Sequence, residues 1–263
     1  MNNSDFAGRY GPVALVTGAS SGIGRSFAEV LAARGLDLIL VARRRGHLEE
    51  LAERLGREQG VAVTVCPVDL SEPGAADQVL RAADSHDVGL VVSNAGFGLK
   101  GAYELGDPRA LSEMLMVNCH APMLLAHGFI PRLRRRGKGG LIFTGSIEGL
   151  MGCPYSTAYS ATKAFINHLG EGLWAELKPD GIEVLTLCPG ATDTEAPVKQ
   201  GIDPRTLDAL MSPEEVARRA LDNIANGPVY ISSEHYRDMF AGLLAMPRRD
   251  ALMAMADNMR RHT

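Results

Sequence analysis

The stretch Val13-Ala-Leu-Val-Thr17-Gly18-Ala-Ser20-Ser21-Gly22-Ile23-Gly24 decides how this chain is read. Val13 to Thr17 are apolar or β-branched and predict a short buried strand. The loop that follows is rich in glycine, and an amphipathic segment, Arg25 to Arg34, runs from it until Gly35 stops the helix. A strand that turns into a helix through glycines leaves backbone amides at the positive end of a helix dipole. That is a cradle for a pyrophosphate. The same residues, Gly18 to Gly22, also satisfy Gly-x-Ser-x-Gly, the nucleophile elbow of hydrolases. This is the first strand, however, so no earlier loop exists to supply the second oxyanion donor. The expectation is therefore phosphate binding, with Gly18, Ser20, Ser21, Gly22, Ile23 and Gly24 as contact residues.

Outward from this turn, strand-like and helix-like runs alternate. Leu36 to Ala42 reads as a strand, and His47 to Glu58 as a helix with Leu48, Leu51 and Leu55 on one face. Val61 to Val68 is a strand, Ala75 to Ala83 a helix and Val88 to Val92 a strand. Arg109 to Arg136 is a long helix that Pro122 and Pro131 are expected to bend. Leu141 to Thr144 and Ile182 to Leu187 are strands on either side of a helix from Tyr159 to Lys178. Ser212-Pro213-Glu214-Glu215 is a helix start, with a capping serine, proline at the first position and acids at the dipole's positive end; that helix is expected to reach Asn226. Pro228 to Ile231 closes the series as a strand. Such alternation predicts an α/β fold: a doubly wound parallel sheet of about seven strands with helices on both faces, binding ligands at the strands' carboxyl ends. One domain over residues 1–263 is expected, with residues 195–263 as its substrate-side and C-terminal helical part.

The totals agree with that reading. The chain has 263 residues, 46% hydrophobic and 22% charged, with net charge -4, enough for a full core and without a basic surplus for nucleic acid or an anionic membrane. No apolar run approaches the roughly 18 residues of a membrane span, and Met1 to Tyr10 are too polar for a signal segment. Cys66, Cys119, Cys153 and Cys188 have no Cys-x-x-Cys spacing, and Cys66 and Cys188 fall in strand-like runs that would bury them. His47, His86, His120, His127, His168, His235 and His262 show no metal-ligand spacing. A soluble, reducing, cytoplasmic setting is the expectation.

Candidate site residues collect where strands end. Arg43 follows the second strand, where an adenosine ribose would lie. No acid is there to accept from a free 2′-hydroxyl, and Arg43 suits a 2′-phosphate. Asp69 and Leu70 follow the third strand, Asn94, Ala95 and Gly96 the fourth, and Pro189, Gly190, Thr192 and Thr194 the sixth. Asn118 stands in the middle of the long helix, where asparagine is a poor helix former. Tyr159 and Lys163, four apart, share a helix face, and an ammonium beside a phenol favours the phenolate. Moving a tyrosine from about 10 towards 7 takes roughly 4 kcal/mol of differential stabilisation. Ser146, at the end of a strand, can turn its hydroxyl to the same point.

Taken in order, Thr17-Gly-x-x-x-Gly-x-Gly24, Asp69, Asn94-Ala-Gly96, Asn118, Ser146, Tyr159-x-x-x-Lys163 and Pro189-Gly190 resemble a short-chain dehydrogenase/reductase over about residues 12 to 194. The resemblance implies a Rossmann fold and a nicotinamide dinucleotide. Tyr159 would be the acid/base and Ser146 would polarise the substrate oxygen. Lys163 would lower the tyrosine's pKa and hold the nicotinamide ribose, and Asn118 would hold a water of a proton relay. The family's Asn-Asn-Ala-Gly pattern has Ser93 in its first place here. Some NADP-preferring members carry a basic residue before the second motif glycine; this chain has Ser21, so the expectation of NADP(H) over NAD(H) rests on Arg43. The loop Gly149-Leu-Met-Gly-Cys-Pro154 is similar to that of some hydroxysteroid dehydrogenases and of reductases of other lipophilic carbonyls. The implied activity is hydride transfer between NADP(H) and a small-molecule carbonyl or secondary alcohol, in a homodimer or homotetramer. A dinucleotide-sensing protein on the same fold is the other class considered; it has no need of the four polar groups. The Met-rich segment Tyr236 to Arg261 has no motif; its apolar helix pair would cap the substrate cleft, pack against a second subunit or simply add to the core.

Overall fold

The computed structural model describes residues 2–260; Met1, Arg261, His262 and Thr263 lie outside the described residues. In chain order the elements are α1 (Asn3–Tyr10), β1 (Val13–Thr17), α2 (Gly22–Ala33), β2 (Asp37–Ala42), α3 (Arg45–Gln59), β3 (Val63–Pro67) and α4 (Ala75–Ala82). Then come β4 (Val88–Ser93), α5 (Pro108–Leu115), α6 (Ala121–Arg136), β5 (Gly139–Thr144), α7 (Thr157–Leu177) and β6 (Ile182–Cys188). The chain continues through α8 (Glu195–Lys199), α9 (Pro213–Asp222), β7 (Val229–Ile231), α10 (Glu234–Ala245) and α11 (Arg248–Met259).

The seven strands form one parallel sheet in the order β3-β2-β1-β4-β5-β6-β7. The winding reverses between β1 and β4, and at such a reversal the two connections leave a crevice over the carboxyl ends of the strands. Successive strand residues face opposite sides of the sheet. Ala14, Val16, Leu38 and Leu40 pack with Phe27 and Leu31 of α2, Leu48, Leu51 and Leu55 of α3 and Val216 of α9. Leu15, Ile39, Val41 and Phe143 pack on the other face with Val79, Leu125, Phe129 and Ile166. Parallel strands buried on both sides read as continuous apolar runs, as Val13 to Val16 and Leu38 to Ala42 do.

Four differences from the expected elements have physical causes. α1 was not anticipated. It has only eight residues and a polar outer side, but the Asn2 side chain accepts from Asp5 N at 2.8 Å, and Phe6 and Tyr10 are buried. The expected long helix is broken by a π-turn at Met116–His120, where Ala121 N bonds Met116 O. Pro122 has no N–H to offer the Asn118 carbonyl, so the regular ladder cannot continue there. Pro131, by contrast, stays inside α6. The Ser212 cap starts α9 as expected, accepting from Glu215 N at 3.1 Å, but the α-helix ends at Asp222 and a 3₁₀ turn covers Ile224–Asn226.

The tail does form a helix pair. Phe240 of α10 and Ala251 and Met255 of α11 are buried against Ile147, Met151, Cys153 and Cys188, forming a third apolar cluster above the carboxyl edge.

Candidate active site

The crevice begins at the glycine turn. Gly18 has φ +69, a left-handed conformation that favours glycine. A Cβ on Gly24 would stand 2.3 Å from Gly18 O and 2.5 Å from Asn94 Nδ2, so only hydrogen fits between α2 and the loop after β4. That loop is locked to β1. Thr17 Oγ1 accepts from the backbone N–H groups of Asn94 and Ala95, each at 2.9 Å, and Asn94 Nδ2 donates to Thr17 O at 3.1 Å. Thr144 Oγ1 donates to Asn94 Oδ1 at 3.2 Å, tying in β5. Ser93, in the place of the family's first asparagine, is the buried last residue of β4. Ser21 precedes α2 without a side-chain cap bond. The first amides of α2 are thus left for a ligand, and the cradle suits a pyrophosphate. Ile23 packs partly against the core, and Thr194 lies over Gly22, its Cγ2 3.1 Å from where a Gly22 Cβ would stand.

Two arginines flank the groove after β2, where the sequence pointed to one. Arg43 is 69% exposed at its side chain and lies 3.7 Å from Asp69. Arg44 bends the other way: its Nε and Nη2 reach Ser20 Oγ at 3.3 and 3.2 Å, and its Nη1 lies 3.4 Å from Glu195 of α8. Burial raises the Asp69 carboxyl, but hydrogen bonds from Ser71 and the Arg43 charge outweigh it and hold the group below its ordinary range. Leu70 beside it is buried. On the far side, Pro189 O accepts from Ile147 N at 3.4 Å, and Thr192 Oγ1 donates to Gly190 O at 3.1 Å. Gly190 has no room for a side chain, because a Cβ would lie 2.0 Å from the Tyr236 ring.

Four elements bring the polar residues together. The π-turn buries Asn118, whose Oδ1 accepts from Phe97 N at 3.1 Å; its Nδ2 donates to Phe97 O at 2.9 Å and to Thr162 Oγ1 at 3.0 Å. A Cβ on Gly96 would lie 3.1 Å from Asn118 Oδ1 and 3.4 Å from Lys163 Nζ, so these side chains meet over Gly96. Lys163 is buried, donates to Thr144 O at 2.6 Å and lies 5.7 Å from the Tyr159 ring centroid. Ser146 Oγ accepts from Glu148 N at 3.1 Å, Asn167 Nδ2 holds Ser146 O at 3.2 Å, and the Ser146 hydroxyl is near enough to the Tyr159 phenol to oppose the rise in its pKa.

The electrostatics differ from the sequence expectation. Burial pushes the Tyr159 phenol up, Glu148 adds to the rise, and the Ser146 hydrogen bond opposes it. Burial also brings the Lys163 ammonium down to about 8. In the protein by itself Lys163 therefore does not bring the phenol down towards neutrality; its strongest contact is the Thr144 carbonyl. Desolvation disfavours both charged forms and outweighs the attraction expected from i,i+4 spacing.

The segment Ile147–Pro154 follows Ser146, and α10 and α11 pack on its Ile147, Met151 and Cys153. Among the residues the sequence reading passed over, Lys100 is the most consequential. It lies 5.8 Å from the Tyr159 ring centroid and pairs with Glu148. Glu148, by contrast, is expected from the sequence, with Met151 and Cys153, to belong to a wall of the substrate pocket between Ser146 and Tyr159. Gln200 also reaches the site: a Cβ on Gly98 would stand 2.6 Å from Gln200 Nε2 and 3.0 Å from the Tyr159 ring.

This fold and crevice define a doubly wound α/β protein with a ligand groove at the winding reversal. The family model described as short chain dehydrogenase matches residues 12–203. The chain is 33% identical over 249 residues to 7beta-hydroxysteroid dehydrogenase of Clostridium sardiniense, covering 94% of this chain and 95% of that one. Among solved structures it is similar to a short-chain dehydrogenase from Sphingobium yanoikuyae in complex with NADPH, with TM-score 0.82, 36% identity and coverage of 92% and 95%. It is similar also to the bulky-bulky ketone specific alcohol dehydrogenase of Comamonas testosteroni, with TM-score 0.77, 33% identity and coverage of 93% and 94%. The chain belongs to the short-chain dehydrogenase family of oxidoreductases.

Proposed function

We propose that this protein is an NADP(H)-dependent oxidoreductase that interconverts a lipophilic ketone and its secondary alcohol. The observation that carries the reading is the convergence of Ser146, Tyr159, Lys163 and Asn118 beside the glycine cradle, at the winding reversal of the sheet. NADPH, when bound, supplies the hydride. Gly18, Ser20, Ser21, Gly22, Ile23 and Gly24 receive its pyrophosphate, and Arg43 with Arg44 receive the 2′-phosphate. Asp69, Leu70, Asn94, Ala95, Gly96, Pro189, Gly190, Thr192 and Thr194 line the rest of the groove. Tyr159 gives its proton to the carbonyl oxygen as Ser146 polarises it. Lys163 holds the nicotinamide ribose, and Asn118 anchors the water that returns the proton.

The apolar wall of Ile147, Met151 and Cys153 supports a lipophilic substrate, as do relatives named for a hydroxysteroid and a bulky ketone. Four buried free cysteines fit a reducing cytoplasm. A homodimer or homotetramer is part of the proposal, with Leu115, Met123 and Phe165 as exposed apolar residues on α5, α6 and α7. No helix among the described residues is long and apolar enough to cross a membrane.

The test follows NADPH absorbance across ketosteroids and bulky aryl ketones, in wild type and Tyr159→Phe. Loss of a general acid should reduce turnover on the order of a thousandfold, with NADPH binding by fluorescence unchanged. Turnover surviving in Tyr159→Phe refutes the mechanism; equal wild-type affinities for NADPH and NADH refute the cofactor preference.

A further inference from the structure

Lys100, Glu148 and Ser156 form a polar knot inside the apolar wall. Lys100 Nζ donates to Glu148 Oε1 at 2.7 Å, to Oε2 at 2.8 Å and to Ser156 Oγ at 2.9 Å, and Ser156 Oγ donates to Glu148 Oε2 at 2.5 Å. The Lys100 side chain is 6% exposed and that of Glu148 23%. The knot ties the loop after β4 to the turn after β5 and to the start of α7. A pair this dry adds little net stability over apolar packing of the same volume. What it supplies is fixed charge, and the nearest reacting group is Tyr159.

The charged and titratable groups around Tyr159 come from four elements. Lys163 lies on its own helix, Lys100 on the loop after β4, Glu148 and Cys153 on the segment after β5, and Cys188 at the end of β6. Burial pushes the Cys153 and Cys188 thiols up to about 12, which leaves them neutral over the working range. Lys163 is committed to Thr144 O. The Lys100 ammonium stands 5.8 Å from the ring centroid, almost the distance of Lys163 at 5.7 Å. It faces the ring with its own counter-charge attached.

We infer that Glu148 and Lys100 are positioning residues that act through Tyr159, their opposed charges setting the pH range over which its proton is transferred. The inference rests on Tyr159 being the acid/base. Glu148 disfavours the phenolate, and an ammonium 5.8 Å from the ring centroid favours it, so the two charges act in opposite directions at the phenol. Removing either one unbalances the site in a direction fixed by the sign of the charge that remains.

The experiment measures kcat/KM against pH for a ketone that wild type reduces, in wild type, Glu148→Gln, Lys100→Met and the double variant. With Lys100 Nζ 5.8 Å from the ring centroid and an effective dielectric between those of water and protein, each single change should move the tyrosine limb on the order of one pH unit. Glu148→Gln moves it down and Lys100→Met moves it up. The double variant returns towards the wild-type limb, since removing both charges restores the balance. A structural role predicts otherwise: each single variant leaves a buried charge unpaired, so both would fail alike. Glu148→Asp and Lys100→Arg keep the charges and should keep the wild-type limb. Shifts of the same sign, or none, in a wild type that turns over overturn the inference alone. Turnover surviving in Tyr159→Phe overturns the reading beneath it.

Discussion

On the dinucleotide side of the groove, each group comes from a loop that directly follows one strand: Gly18–Gly24 after β1, Arg43 and Arg44 after β2, Asp69 after β3 and Asn94–Gly96 after β4. On the proposed substrate side, Ile147, Met151 and Cys153 are backed by Phe240, Ala251 and Met255, from the opposite end of the chain. Backbone amides and glycines would do the binding on the first side, so its design is local. Apolar packing and a buried ion pair shape the second, so its design depends on which distant segments meet. Substitutions on the two sides should therefore fail in different ways: cofactor binding on one, substrate binding and the proton on the other.

The largest effect is expected at Gly24. A Cβ there would stand 2.3 Å from Gly18 O, against backbone that cannot turn aside. Gly24→Val should lose about 3 kcal/mol of stability by urea melting and abolish NADPH binding in a fluorescence titration. Binding that survives would move the cofactor away from this cradle.

Phe240→Ala tests the other side. Truncating a fully buried phenylalanine costs about 3 kcal/mol or more. If the wall shapes the substrate pocket, the ketone KM should rise while the NADPH Kd stays put. A change in both would mean that the two sides are not separable.

Lys163 sits between the sides, and its effect depends on pH. Its folded-state pKa of about 8 lies below its ordinary 10.5. Between those values the unfolded chain binds the proton that the folded one has lost, so this residue's contribution to stability rises with pH across that window. Wild type minus Lys163→Met, from urea melts at pH 7 and pH 10, should grow by on the order of 2 kcal/mol. A flat difference would contradict the desolvation.

The smallest effects belong to the exposed arginines. Arg43→Ala and Arg44→Ala should each weaken NADPH binding by about 1 kcal/mol, or roughly fivefold, and leave NADH binding unchanged. Glu195→Gln, which frees Arg44 from its ion pair, should strengthen NADPH binding slightly. Weaker NADPH binding in that variant would place Arg44 outside the phosphate site.

Much of the fold was legible in the sequence because its signals are local. The apolar run Val13–Thr17, the glycines after it and the spacing of Leu48, Leu51 and Leu55 each encode one element without reference to the others. α1 escaped notice because two buried aromatics in eight residues make too weak a pattern. The π-turn escaped because Pro122 was read as a bend at its own position, whereas its missing N–H acts a turn earlier, at Asn118. Tyr159 and Lys163 stood out as an i,i+4 pair, and the structure brings both to one crevice. Their charge states were not legible, because desolvation depends on β5, β6 and the wall closing round them.

The alternation of elements, the phosphate-binding turn and the identities of Asn118, Ser146, Tyr159 and Lys163 were determined by sequence alone, because spacing along one strand or helix is a one-dimensional property. Three things belong to the tertiary structure. Lys163 gives its strongest hydrogen bond to Thr144 O. Arg44 joins Arg43 at the groove. Lys100 crosses from the loop after β4 to meet Glu148 beside the phenol. Each is a contact between segments that no local periodicity relates. Coulomb and desolvation energies there depend on through-space distance and burial, which only the assembled fold supplies.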